Sequence, residues 1–450
     1  MEDQAGQGRR AELGDLQQAD YCASDAVALE FTLQIANWHL ITDAFGAGAC
    51  AHARAHLLSL LHELAAARGL VNFNDDWIVA EGNSLDVRLP LAGSRRQGDH
   101  LDELPAALCS AAALRPYPYL GHFIHIALSY HPVRARRVAS EPGSGAVAFV
   151  HDAAAPQICE LPTAIQSLPD DPDARRCRAD MAEASKLLAM VAADQLELAW
   201  QAVCATSDLW EVLYYEALLR VAGQDPGGAA PTDAIEALER LGLVRVLDAH
   251  VVAKVLDQLE ADPSIFLGVN ISARSATLDH WWMEIERRLC ARRDLARRLV
   301  IEITETAEIS PSHATAFADH MRRLGCRIAL DDFGVGFASI RRLLALSPDI
   351  VKIDSLFVRR APLSGRDGQV FAHIVGLARA IAPLVVVEGV ETDDQCKLTE
   401  DAGATWFQGY RSGGATMVRP WVRQPDSHKM LALLRFRDAA AARSAEGAVS

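Results

Sequence analysis

The chain has 450 residues, half of them hydrophobic, with 44 basic against 59 acidic side chains and a formal net charge of -15. That is enough apolar sequence for a large core in two or three domains, and the acidic balance excludes a general nucleic-acid binder, which needs a basic face. Nine scattered cysteines, none in a CxxC pair, point away from a zinc site or disulfide framework and toward a reducing, cytoplasmic setting. No apolar run approaches the roughly 18 residues of a spanning helix, so membrane insertion is not expected.

In chain order, residues 1–24 read as a polar leader. Residues 25–155 read as a smaller α/β domain. It holds a strand leading into a helix over 27–40, a helix over 50–68, two strands over 77–90 around a turn at Gly82-Asn83, and a buried strand within 120–130. Residues 156–194 read as a connection: a Pro- and Asp-rich linker over 156–176, then a helix from about 178 to 193. From 195 to 425 short apolar runs end in polar clusters, with helical stretches between them. The runs are LYYEALLR (213–220), FLGVNIS (266–272), LVIEITE (299–305), RIALDDFG (327–334), IVKID (350–354), LVVVEGVE (384–391) and TWFQGY (405–410). With 196–203 these make eight strands, and the alternation predicts a (β/α)8 barrel with strands buried on both faces. Residues 426–450 read as a terminal helix and an Ala-rich tail.

Barrel chemistry sits at the C-terminal ends of the strands. Those ends carry Glu216, Asn270, Glu302, Asp331, Asp332, Lys352, Glu388 and Gln408. Carboxylates at that density repel one another unless a cation joins them, and an all-oxygen set without Cys or His selects a hard ion, Mg²⁺ or Mn²⁺. The adjacent pair Asp331 and Asp332 suits two ions, which in phosphodiester cleavage polarise the phosphate and acidify a bound water. Lys352 is placed to orient that water or to stabilise charge on the phosphate. Arg220 is placed to hold a phosphate oxygen.

These residues closely resemble the EAL-domain family of cyclic di-GMP phosphodiesterases, over about 196–420. Gln201 matches a glutamine near the first strand, Glu216-Ala217-Leu218 is the motif that names the family, and Arg220, Gly242-Leu243 and Asp248 follow in order. The resemblance implies a metal set of Glu216, Asn270, Glu302, Asp331, Asp332 and Glu388, with Lys352, Glu388 and Asp332 in catalysis. It implies substrate contacts from Gln201, Leu218, Arg220, Asp354 and Gln408, and bracing of the loop after DDFG by Glu391. The fold it implies is a modified barrel whose first strand runs antiparallel. Its substrate would be cyclic di-GMP, its product linear pGpG, and its assembly a homodimer through this domain. The sequence departs from the family at Val335, Phe337 and Ala338, which lack the usual hydroxyls, at Val387, and in a longer segment over 410–420. A non-catalytic cyclic di-GMP receptor signalling through its N-terminal domain is the alternative these departures motivate.

Residues 25–155 resemble, more weakly, a degenerate GGDEF domain of regulatory role, with GTP as a candidate ligand. Ile41–Gly46 matches its substrate-proximal helix, and Gly82-Asn83-Ser84-Leu85-Asp86 stands where the signature hairpin lies, with Ser84 and Leu85 replacing its metal-binding acids. The arginines at 287, 288, 292, 293, 297 and 298 read as a solvated helix face with Ile285 and Leu289 inward. At least one of Trp281 and Trp282 reads as core, and His313, His320 and His373 as surface.

Overall fold

The computed structural model describes residues 26–70, 77–91, 101, 103–131, 134–138, 168–222, 230–304, 311–334, 344, 346–423 and 429–430. The leader, residues 156–167 of the linker, residues 335–343 after DDFG, Glu305 and the tail from 431 lie outside them. The chain divides into two compact units. One holds 1–42, 46–112 and 128–167; the other holds 43–45, 113–127 and 168–450.

The first unit is built on an antiparallel sheet with β1 (Ala26–Ile35) inside it. Strand β3 (Ser84–Leu91) pairs with one edge of β1 and carries β2 (Ile78–Glu81) beyond it. The β2–β3 turn is Gly82-Asn83, where Gly82 takes φ +54, a conformation that a side chain disfavours. Leu85 is 1% exposed, so it serves the core. The Ala47–Ala67 helix buries Ala53, Leu57, Leu60 and Leu61 along one stripe.

The expected single strand over 120–130 is in fact a turn and two short strands. Strands β4 (Tyr117–Tyr119) and β5 (His122–Ile124) form a hairpin in the second unit. Leu120 and Gly121 both take positive φ at its turn, 45° and 81°. Such a pair reverses the chain and ends the run that the sequence presents as continuous. The second strand of the range is β6 (Leu128–Tyr130), which joins β7 (Arg134–Val138) on the other edge of β1.

The helix expected from about 178 begins six residues earlier, as Pro172–Ala192. Asp171 accepts a hydrogen bond from the Ala174 amide at 2.9 Å, and Pro172 fills the first turn. Aspartate followed by proline, which resembles a linker in isolation, is here a helix cap.

The barrel follows. Strands β8 (Leu196–Ala205) and β9 (Glu211–Val221) are antiparallel. Then come β10 (Leu267–Ile271), β11 (Leu299–Ile303), β12 (Arg327–Phe333), β13 (Ile350–Ile353), β14 (Leu384–Val387) and β15 (Trp406–Phe407), each parallel to the one before it. β15 pairs antiparallel with β8, and β9 pairs parallel with β10, which closes the ring of eight. A short β16 (Lys429–Met430) adds to the start of β9. Strands β11, β13 and β14 are buried at every residue, because the intervening helices cover the outside. Val203, Leu213, Val300, Ile350 and Val386 fill the interior.

The arginine-rich segment is solvated as expected. Ile285 and Leu289 are buried, Arg287 pairs with Glu284 and Arg288 with Asp257. Arg298 differs: it is 7% exposed and donates to the carbonyls of Leu259, Asp262 and Ile265, tying a helix end to β11. Trp282 is core at 2% exposure, and His313 and His373 are exposed. Among the described residues no helix is long and apolar enough to cross a membrane.

Candidate active site

Strand ends of a closed barrel meet around one mouth. Lys352, near the end of β13, is the hub there. It is fully buried, and its Nζ stands 2.7 Å from Glu302 Oε2, 2.8 Å from Glu388 Oε1, 2.9 Å from Asp331 Oδ1 and 3.1 Å from Glu216 Oε2. An ammonium has one charge and three donors. Four carboxylates therefore leave negative charge and acceptor capacity unmatched.

Their oxygens fall into two triads. One oxygen from each of Glu216, Glu302 and Asp331 lies within 4.8 Å of the others, and the same holds for Asp331, Asp332 and Glu388. Asp331 belongs to both. Consecutive residues of a regular strand point to opposite faces. Here the β12–β13 register shifts between Leu330 and Phe333, and Asp332 takes φ +53. This local irregularity brings both aspartates to the same mouth.

Glu216 is the most heavily tethered carboxylate. Asn270 Nδ2 donates to its Oε1, and Gln408 Nε2 donates to its Oε2 at 2.6 Å. Gln408 also reaches Gln201 Oε1 at 3.2 Å, and Gln201 Nε2 donates to the Gly413 carbonyl at 3.2 Å. The segment over 410–420 is tied back to β8 by the paired backbone bonds of Trp200 and Thr416. Leu218 and Arg220 follow Glu216 at two-residue intervals and share its face of β9. Arg220 donates to the Leu219 carbonyl at 2.8 Å, while its buried Nε has no partner among the described residues. Asp354 caps the Ser355–Arg360 helix, accepting from the Leu356 amide at 2.7 Å. Glu391 is exposed and faces Arg359 at 3.8 Å; the loop it was expected to brace lies outside the described residues.

The electrostatics follow from burial. Burial pushes Glu302, Asp331 and Glu388 up, and their carboxylate neighbours add to this, with Lys352 opposing. Burial and Asp331 push Asp332 up to about 7. For Glu216 burial also acts upward, but Lys352, Gln408 and Asn270 outweigh it and hold its carboxyl below the usual range. Lys352 is held well above the usual lysine range, because four anions outweigh the effect of burial.

A hard cation fits this donor set. Every side chain in the two triads offers oxygen alone, and neither Cys nor His belongs to them. Asn270 Oδ1 and Glu302 Oε1 are buried acceptors with no hydrogen-bond partner among the described residues, and an added cation would satisfy both.

The tertiary structure adds two residues that the motif reading passed over. Gly268, two before Asn270, has no room for a side chain: a Cβ there would stand 2.1 Å from Glu302 Oε1 and 2.6 Å from the Tyr214 ring. Tyr214, two before Glu216, is fully buried. A glycine inside an otherwise apolar strand was the available signal, since it marks a close approach.

A sequence model of the EAL domain family matches residues 184–413, just over half of the chain. The chain belongs to the EAL domain family. A relative named cyclic di-GMP phosphodiesterase PdeF, from Escherichia coli K12, is 31% identical over 206 residues, covering 45% of this chain and 28% of that protein. Cyclic di-GMP phosphodiesterase PdeL of the same strain is 30% identical over 217 residues, covering 46% and 60%. The chain thus spans less than two thirds of the length of these curated relatives. A solved EAL domain protein from Listeria monocytogenes EGD-e is 22% identical, covering 53% of this chain and 94% of that one, with a TM-score of 0.45.

Proposed function

We propose that the EAL barrel of this chain hydrolyses cyclic di-GMP to linear pGpG at a centre of two hard divalent cations, Mg²⁺ or Mn²⁺. The observation that carries this is the pair of carboxylate triads sharing Asp331 around a single buried lysine. The names of the family relatives supply the substrate.

In this reading Glu216, Asn270, Glu302, Asp331, Asp332 and Glu388 hold the ions. When bound, these supply Lewis acidity toward the phosphodiester and lower the pKa of water. The chain does the rest. Lys352 keeps a proton at Nζ, limits carboxylate repulsion, and presents positive charge where the phosphate becomes more negative. Gln408, held by Gln201, fixes Glu216 in one orientation. Arg220 offers its guanidinium to a phosphate oxygen at the rim, with Leu218 and Asp354 beside the substrate path.

The first unit is read as a regulatory, degenerate GGDEF-like domain without cyclase activity, since Ser84 and Leu85 supply no carboxylate at the hairpin. GTP is its candidate ligand, and a homodimer through the EAL domain is the proposed assembly.

The test is formation of pGpG by the full chain with Mn²⁺, with and without GTP, beside Glu216→Ala. Turnover at the level of that variant removes the enzymatic reading. Tight cyclic di-GMP binding without turnover replaces it with a receptor.

A further inference from the structure

Tyr214 carries a polar atom with no stated task. Its side chain is fully buried inside the barrel, and its hydroxyl has no hydrogen-bond partner among the described residues. A dry interior penalises an unpaired hydroxyl, so this atom calls for an acceptor.

The Glu302 carboxylate packs beside the Tyr214 ring. The point where a Gly268 Cβ would be is 2.1 Å from Glu302 Oε1 and 2.6 Å from Tyr214 Cε2. Glycine at 268 is therefore what allows the phenol ring and the Glu302 carboxylate to press together. Glu302 Oε1, like the phenol, has no partner among the described residues. Glu302 Oε2 faces Lys352 at 2.7 Å. A phenol ordinarily titrates at about pH 10, so it is a donor throughout the neutral range.

We propose that Tyr214 is a positioning residue of the cation centre: its phenol, admitted by Gly268, donates a hydrogen bond to Glu302 and orients that carboxylate as a ligand when the ions bind. The inference rests on the two-cation reading above. It assigns Tyr214 no contact with substrate. A tyrosine in this layer adds a donor where a phenylalanine would only fill volume. Bracing of a ligand through a partner behind it is a recurrent feature of metal sites, and its loss weakens metal binding without removing a ligand.

Full-length protein and its Tyr214→Phe variant are compared by equilibrium dialysis against Mn²⁺ and by thermal melting of the metal-free form. About tenfold weaker Mn²⁺ binding is expected in the variant, with the metal-free melting temperature unchanged or raised, because an unpaired hydroxyl has been removed. Affinity within threefold of the parent overturns the inference and leaves the cation centre standing. A lowered metal-free melting temperature also overturns it, since the hydroxyl would then be serving the fold. If the parent chain itself binds no Mn²⁺, the reading of the centre fails, and this inference fails with it.

Discussion

Asp331 and Asp332 are chain neighbours whose carboxylates converge, with Glu388, to within 4.8 Å of one another, although a regular strand would send them to opposite faces. Only Asp331 also belongs to the triad of Glu216 and Glu302. The two aspartates are therefore not equivalent, and their substitutions are expected to differ in kind. Asp332→Asn is expected to leave one Mn²⁺ bound per chain, and Asp331→Asn to leave none. Metal stoichiometry after dialysis decides this; equal stoichiometry in the two variants would sink the shared-ligand arrangement.

Lys352 is the cation that three buried carboxylates and the half-buried Glu388 face. Removing one partner of a buried ion pair leaves uncompensated charge and costs about 3–5 kcal/mol. Lys352→Met is expected to lose stability of that order without metal, to recover part of it when Mn²⁺ is added, and to turn over no substrate. Denaturant unfolding with and without Mn²⁺ measures the first two.

Gln408 does not belong to either triad, yet it donates to Glu216 at 2.6 Å. Gln408→Ala is expected to weaken Mn²⁺ binding about 10- to 100-fold, the usual cost of losing a partner behind a ligand. Unchanged Mn²⁺ affinity in a folded Gln408→Ala protein would contradict this.

Gly268→Ala puts a methyl group 2.1 Å from Glu302 Oε1. Overpacking of this kind costs about 1–3 kcal/mol, and here the displaced atom belongs to a proposed ligand. Both melting temperature and Mn²⁺ affinity are expected to fall. A variant that melts lower but binds Mn²⁺ normally would mean that Glu302 is not a ligand.

Away from the triads, Asp248 accepts from the Ser272 amide at 2.9 Å and so anchors the turn after β10. Burial pushes its pKa up to about 7, against the hydrogen bond from the Ser272 amide, which acts downward. The folded state thus holds a proton that the unfolded chain, with the ordinary value of 3.8, has released. The contribution is fully present below pH 3.8 and is lost as pH rises through about 7. Asp248→Asn keeps an acceptor and cannot ionise. Its stability relative to the parent is expected to grow between pH 4 and pH 8 by a few kcal/mol, at roughly 1.4 kcal/mol for each tenfold difference in proton affinity between the folded and unfolded chain. A pH-independent difference would show that Asp248 is ionised in the fold.

Much of this protein was legible in the residues alone. Apolar runs such as LVIEI and LVVV, each ending in a charged group, announce strands buried on both faces, and eight of them make a barrel. The strand-end acids and Lys352 were legible for the same reason: a charge that closes an apolar strand sits at a boundary, and in a barrel all such boundaries meet. Local punctuation was harder to read. Asp171-Pro172 serves a linker or a helix cap equally well until the helix is seen, and the Leu120-Gly121 turn hides inside an apolar run.

What the tertiary structure alone decided is the division of labour inside the mouth. Sequence order cannot say that Asp331 joins two triads, since that depends on a register shift and one left-handed residue in β12. Nor can it say that Gly268, Tyr214 and Glu302 compete for one space, because three strand positions far apart in the chain become neighbours only when the barrel closes. Hydrophobic patterning fixes which residues face inward. Which of them touch is set by register and closure, which are properties of the whole ring.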